Sequence, residues 1–265
     1  MKTRPVCLTI AGSDSGGGAG IQADLKTFES IGVFGTSAIT CLTAQNPDGV
    51  SGILEVSAEM LELQARAVLD FFPVKAVKSG MLFSTEIIQK LVTLQKNYNF
   101  DLILDPVMIA TSGAKLLQDS AIEALRDELI PLSKLVTPNV DEVSLLLNKK
   151  FESGEELKSA TIEFFERYKT PVLIKGGHLP ENNLVTDYFF DGKISFSLES
   201  EYISGRSTHG TGCTYSSAIA SYFALGYSVE EAIHKAKSFL HSSILNSYSV
   251  GKISTLNHSP FTEGP

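Results

Sequence analysis

Thr208-His209-Gly210-Thr211-Gly212-Cys213 opens a run of small residues, Thr214–Ala224. Glycines at a helix start leave backbone N–H groups facing outward at the positive end of the dipole, a ready anion site. Cys213 falls in the first turn, where that dipole is expected to lower the thiol pKa so that it can act as a general base near neutral pH. An isolated cysteine there reads as a small apolar filler; beside this glycine cluster the functional reading is preferred. A second loop, Gly12-Ser13-Asp14-Ser15-Gly16-Gly17-Gly18-Ala19-Gly20, packs five glycines into nine residues. It is no P-loop, because no Gly-Lys-Ser/Thr follows, and Ile21 stands where GxGxxG needs its last glycine. A flexible turn and a ligand-hugging backbone both fit it.

Two further places carry charge suited to phosphate chemistry. Asp105-Pro106 and Asn139-Val140-Asp141-Glu142 are acidic loops; carboxylates there suit Mg²⁺ against a phosphate chain. Asn139-x-x-Glu142 is equally a capping-box pattern, and the sequence leaves cap and metal relay open. In Ile174-Lys175-Gly176-Gly177-His178 the lysine can reach phosphates as a mobile point charge, or be an ordinary solvated lysine. His178 reads more readily as a surface histidine than as a ligand cover. Cys7 and Cys41 lie in apolar runs and read as core.

The elements that must position these loops alternate along the chain. Strands are expected at Val6–Ala11, Thr36–Leu42, Val74–Val77, Leu102–Leu104, Leu135-Val136 and Val172–Ile174. Helices are expected at Ile21–Ile31, Ala58–Phe72, Thr85–Tyr98, Ser120–Ile130, from Val140, from about Glu155, from Thr211 and from Ser228. Ser120/Glu123 and Ser228/Glu231 match capping boxes. Asp191-Gly192 between Leu184–Phe190 and Lys193–Leu198 is the strongest hairpin signal. Repeated βα alternation predicts a mostly parallel sheet with helices on both faces, with ligands beyond the carboxyl ends of its strands. The residues from Asn257 on read as a loose tail.

The 265 residues carry 22 Lys and Arg against 30 Asp and Glu, a formal net charge of −8. That balance disfavours nucleic-acid and anionic-membrane binding. No apolar run approaches a membrane span. Three cysteines without CxxC spacing argue against a disulfide framework or zinc site and for a reducing cytoplasm.

Taken in order, the blocks resemble the hydroxymethylpyrimidine/phosphomethylpyrimidine kinases of thiamine biosynthesis, in the ribokinase-like superfamily. The run Gly12–Thr27 looks like that family's N-terminal signature. Ala44-Gln45-Asn46, Ser79-Gly80-Met81-Leu82, Leu104-Asp105-Pro106-Val107-Met108, Thr137-Pro138-Asn139, Lys175-Gly176-Gly177-His178 and Thr208–Thr214 follow in register.

The resemblance implies one ribokinase-like domain over 1–265, a three-layer α/β/α sandwich with a mostly parallel central sheet, and a homodimer. It implies that ATP phosphorylates the hydroxymethylpyrimidine and then its monophosphate, with Mg²⁺ organised by Asp105 and Glu142 and room for a monovalent cation. Gln45 would read the aminopyrimidine edge, its amide offering donor and acceptor, with Gly12, Asp24, Met81 and Val107 lining the same pocket. Gly210, Thr211, Gly212 and Cys213 would form the anion hole, Cys213 being the base. Lys175 would touch the transferring phosphate, with Thr208, Asn139 and Lys237 at the nucleotide. Gly251–His258 departs from the family in lacking a Gly-Pro pair. Pyridoxal kinases of the same superfamily share much of this pattern, and Gln45 tilts the choice to the pyrimidine. A non-catalytic vitamin- or nucleotide-binding regulator is the rival of another class.

Overall fold

Apolar β-rich runs bounded by glycine or proline build the middle layer. The computed structural model describes residues 3–108, 117, 119–177, 179–206 and 208–260. His178 lies outside them. Strand β1 (Val6–Asp14) pairs in parallel with β2 (Phe34–Asn46) on one side and β4 (Val74–Ser79) on the other. β5 (Leu102–Leu104), β6 (Leu135–Val136) and β7 (Val172–Ile174) extend the parallel set. Antiparallel strands flank it: β3 (Gly49–Glu55) on β2, and the hairpin β8 (Leu184–Phe190) and β9 (Ser195–Glu201) on β7. The order is β3-β2-β1-β4-β5-β6-β7-β8-β9. Chain order therefore reverses at β1/β4, the position where open α/β sheets leave a crevice.

Helices cover both faces. On one side α2 (Ala58–Leu69), α3 (Thr85–Tyr98), α4 (Asp119–Ala124), α5 (Val140–Leu147) and α6 (Gly154–Tyr168) bury Leu61, Ile88, Leu91, Val143 and Phe164 against Leu8, Ile10 and Val77. On the other, α1 (Gly20–Ile31), α7 (Thr211–Ala224) and α8 (Val229–Leu245) bury Phe28, Ala218, Ile219 and Phe239 against Cys7, Ala76 and Ile103. Consecutive β residues feed opposite cores, as a period of two requires when both faces are covered. A short hairpin, β10 (Tyr248–Val250) with β11 (Ile253–Thr255), follows α8.

The expected strands and helices are present, with the unexpected hairpin β10–β11 and three further differences. Ser120 lies inside α4 rather than capping it, and the expected Ser120–Ile130 helix breaks into a π turn at Leu125–Leu129 and a 3₁₀ turn at Ile130–Leu132. Pro131 explains the last break, since its ring forbids a continuing α-helix. β3 was not expected, because its residues are half-buried or exposed and hold two glycines. The tail is not loose at its start: Asn257 N–H donates to Ser243 O at 3.1 Å, and His258 is buried.

Candidate active site

The carboxyl ends of the parallel strands and the start of α7 converge on a cavity of about 430 Å³. Asp105 follows β5 and Lys175 follows β7, and both border it. Lys175 Nζ lies 2.7 Å from Asp105 Oδ1. Burial opposes the Lys175 charge, but Asp105 and Glu142 outweigh it and hold the ammonium above the ordinary lysine value. Gly212 faces this pair closely: a Cβ there would sit 3.4 Å from Lys175 Nζ and 3.5 Å from Asp105 Oδ2.

The turn that begins α7 is shaped by glycine. Gly210, its N-cap, has φ 82°, and a Cβ on it would lie 1.9 Å from the Gly18 carbonyl oxygen. Any other residue would be strained and would collide with the glycine-rich loop. Thr211 N–H and hydroxyl both donate to Thr208 O, at 3.2 and 2.8 Å. The N–H groups of Gly212 and Cys213 have no backbone acceptor among the described residues. They are the orphan donors of a helix start.

The half-buried Cys213 thiol corrects the expectation of a lowered pKa. Burial pushes it up to about 11, against the pull of the Lys78 ammonium and of the Gly20 amide. Helix-end partial charges are worth too little to offset loss of solvent around a thiolate. Behind Cys213 stands a buried ion pair. Lys78 Nζ contacts both Asp24 oxygens at 2.9 Å, with both side chains wholly buried. Asp24 also accepts from Thr9 Oγ1 and from Ser217 Oγ, each at 2.6 Å. Asp24, expected to line the substrate pocket, is therefore an interior anion with no surface to offer.

The glycine-rich loop is likewise closed on itself. The Asp14 carboxylate accepts from the amides of Gly16 (2.8 Å), Gly18 (3.1 Å) and Ala19 (2.8 Å), and His209 Nε2 lies 3.2 Å from it. Burial disfavours the charge, but His209 and the amides of Ala19 and Gly16 outweigh it and hold the carboxyl below its usual range. Those amides serve the loop's own anion, so the loop is a scaffold that locks onto the His209-Gly210 turn.

On the acidic side, Asn139 and Glu142 form a full capping box: Glu142 N–H donates to Asn139 Oδ1 at 2.9 Å, and Asn139 N–H to Glu142 Oε2 at 2.7 Å. Burial raises the Glu142 carboxyl well above the carboxylate range, with Asp105 adding to this and Lys175 opposing it. Lys237, which also borders the cavity, is held at 2.7 Å by Asp187, whose other oxygen accepts from Gly176 N–H at 3.0 Å. Val107, Asn139, Thr208, Gly210 and Thr211 border the same space. Gly12, Gln45 and Met81 do not. Gly12 and Met81 gather instead with Cys41: a Cβ on Gly12 would lie 2.9 Å from Cys41 Sγ and 3.6 Å from Met81 Sδ. Gln45, half-buried, accepts from Thr43 Oγ1 at 3.3 Å through Oε1.

Residues 14–258 match the phosphomethylpyrimidine kinase family. The chain belongs to that family. It is 43% identical over 245 residues to the hydroxymethylpyrimidine/phosphomethylpyrimidine kinase of Bacillus subtilis, covering 92% of this chain and 90% of that one. Among solved structures, the phosphomethylpyrimidine kinase of Clostridium difficile is 41% identical with a TM-score of 0.81, covering 91% of this chain and all of that one. Bacillus subtilis pyridoxal kinase, solved as an ADP complex, is 34% identical with a TM-score of 0.90, covering 97% and 98%. The fold is the ribokinase-like one, a mostly parallel central sheet flanked by helices.

Several cavity residues escaped the sequence reading. Asp187 and Val185 come from β8, Tyr202 and Arg206 from the segment after β9, and Tyr215 from α7. Asp187 stands within an alternating strand with no loop signature. The Asp24–Lys78 contact joins residues 54 apart. No local motif in the sequence marks this pair.

Proposed function

We propose that the chain transfers the γ-phosphoryl group of ATP to the hydroxymethyl oxygen of 4-amino-5-hydroxymethyl-2-methylpyrimidine, and then to the resulting monophosphate, within thiamine biosynthesis. The observation that carries this reading is the convergence of the Gly212 and Cys213 amides with Lys175 on one wall of the cavity. Preorganised donors of this kind suit a loose transition state whose charge spreads over three phosphoryl oxygens.

Phosphate oxygens at the start of α7 would accept from those amides, and the Lys175 ammonium would exchange part of its contact with Asp105 for them. The part of the cavity lined by Asp187, Tyr202, Arg206 and Lys237 would take the nucleoside. Gly12, Gln45 and Met81 would hold the pyrimidine on the far side of Cys213, which places the sulfur between alcohol and phosphate. A thiolate at Cys213 would take the alcohol's proton; Lys78 and the Gly20 amide favour that form.

No cluster of three or more metal-ligating side chains exists among the described residues. Two acidic groups bordering the cavity, Asp105 and Glu142, fit an ion that arrives with ATP and keeps much of its water. Bound there, Mg²⁺ would neutralise developing phosphate charge. The capping-box role of Glu142 and the Lys175 contact of Asp105 would loosen in exchange.

A pyridoxal substrate is the second reading, supported by the TM-score of 0.90 to a pyridoxal kinase. ADP release measured with each alcohol in turn separates the two. The proposal expects kcat/KM for the hydroxymethylpyrimidine to exceed that for pyridoxal by at least about tenfold, the low end of what one group of the substrate discriminates in a pocket. Equal values defeat the specificity claim, and no ADP release with either leaves a binding regulator.

We also propose a homodimer in the cytoplasm. Directly paired Leu42 and Leu54 are 44% and 66% exposed at the β2–β3 edge, beside exposed Ile53 and the exposed Met60 and Leu63 of α2. An edge with this many exposed apolar side chains suits a second copy. The three free thiols suit a reducing compartment. No described helix is long and apolar enough to cross a membrane.

A further inference from the structure

The segment after β11 returns to the molecule and reaches the helix that starts at the candidate phosphate site. Leu256 is 1% exposed. Asn257 N–H donates to the carbonyl of Ser243 in α8 at 3.1 Å. His258, 7% exposed, then places Nε2 at 3.1 Å from Thr214 Oγ1, a wholly buried hydroxyl in α7. A ring N–H turned toward the Leu256 carbonyl would leave Nε2 to accept from the Thr214 hydroxyl. Burial, helped by the Lys26 charge, pushes the imidazole down to about 4, so this neutral tautomer persists through the working pH range.

Thr214 immediately follows Cys213, and its N–H donates to Gly210 O at 2.9 Å, closing the first turn of α7. That turn holds Gly210 and Gly212, which contribute no side chain to its rigidity. The turn therefore takes its shape from what grips it. The glycine-rich loop grips one side at Gly210, and Ser216 Oγ donates to Gly212 O at 2.8 Å. The third grip comes from the far end of the chain.

We propose that His258 is a positioning residue: through Thr214 it clamps the first turn of α7 and so aims the Gly212 and Cys213 amides at the transferring phosphate. The clamp rests on the reading of that turn as the phosphate site. It gives the divergent C-terminal segment a role that needs no Gly-Pro pair. It also makes catalysis depend on a residue that touches neither substrate.

The test is steady-state kinetics, well below each melting temperature, of His258→Ala, Thr214→Val, their double variant, His258→Gln and Lys175→Ala. A misaimed turn lowers kcat about 10- to 100-fold in each of the two single variants, with the pyrimidine KM nearly unchanged. Because both substitutions break one contact, the double variant falls no further than the worse single. Glutamine, whose amide oxygen can accept from Thr214, restores most of kcat. A lower melting temperature with kcat within about twofold of wild type marks a merely structural contact and overturns the clamp, as do losses that multiply in the double variant. If His258→Ala does not fold, Thr214→Val alone carries the same two outcomes. Lys175→Ala separates the clamp from the reading beneath it. Its turnover collapsing while His258→Ala stays active defeats the clamp alone, and its turnover surviving defeats both.

Discussion

Cys213 is a thiol at neutral pH, so a proton acceptor at this position works through a minor thiolate population. Its thiolate fraction grows as pH approaches about 11. The sign is fixed: the deprotonated form is the base, so kcat/KM should climb with pH, by about tenfold per unit between pH 7 and 10. Cys213→Ala should lose that slope and run about 10²–10⁴-fold slower at the alkaline end, while still binding pyrimidine. A flat profile in the wild type, or an alanine variant with near-normal turnover, removes Cys213 from the proton path. The sequence revealed this residue through its glycine neighbours, but it misjudged the acidity. A dipole is readable from a helix start; the extent of solvent exclusion is a property of the folded interior. Asp24 shows the same limit, since its charge is answered by Lys78, Thr9 and Ser217 from three other elements.

At the scale of elements, two loops and one helix start form a single unit. Gly210→Ala would place a methyl group on the Gly18 carbonyl in a left-handed backbone, and should cost at least roughly 1–3 kcal/mol. Urea denaturation measures that loss; a variant as stable as wild type would show that the glycine loop does not press on the turn. Asp14→Ala should cost a further roughly 1.5–3 kcal/mol by stranding three amides around a lost charge. The same unit explains what was legible. Strands Leu102–Leu104 and Val172–Ile174 and helix Thr85–Tyr98 stand where their apolar runs and flanking punctuation put them. β3 was invisible because it is an edge hairpin strand with two glycines and no buried side. Its identity as a strand comes from pairing with β2. The cavity wall beyond β7 was invisible for a related reason: β8, β9 and the chain beyond supply it one residue at a time, with no local motif.

Over the whole molecule, Asp105 and Lys175 stand beyond the carboxyl ends of parallel strands, and the exposed apolar rim lies at the β3 end of the sheet, remote in strand order from the β7–β9 wall of the cavity. Association there would leave the cavity open. Light scattering should therefore give twice the chain mass for the wild type, and Leu54→Lys should weaken association by at least about tenfold, the range of a central apolar anchor, with kcat retained. A monomeric wild type would contradict the dimer and leave the site reading untouched.

The central claim concerns where phosphate binds, and a crystal structure with a non-hydrolysable ATP analogue and the hydroxymethylpyrimidine addresses it most directly. The account predicts γ-phosphate oxygens within hydrogen-bond reach of the Gly212 and Cys213 amides and of Lys175 Nζ, with the hydroxymethyl oxygen beside the Cys213 sulfur. A triphosphate lying away from the start of α7, or a pyrimidine bound apart from Gln45 and Met81, would contradict it.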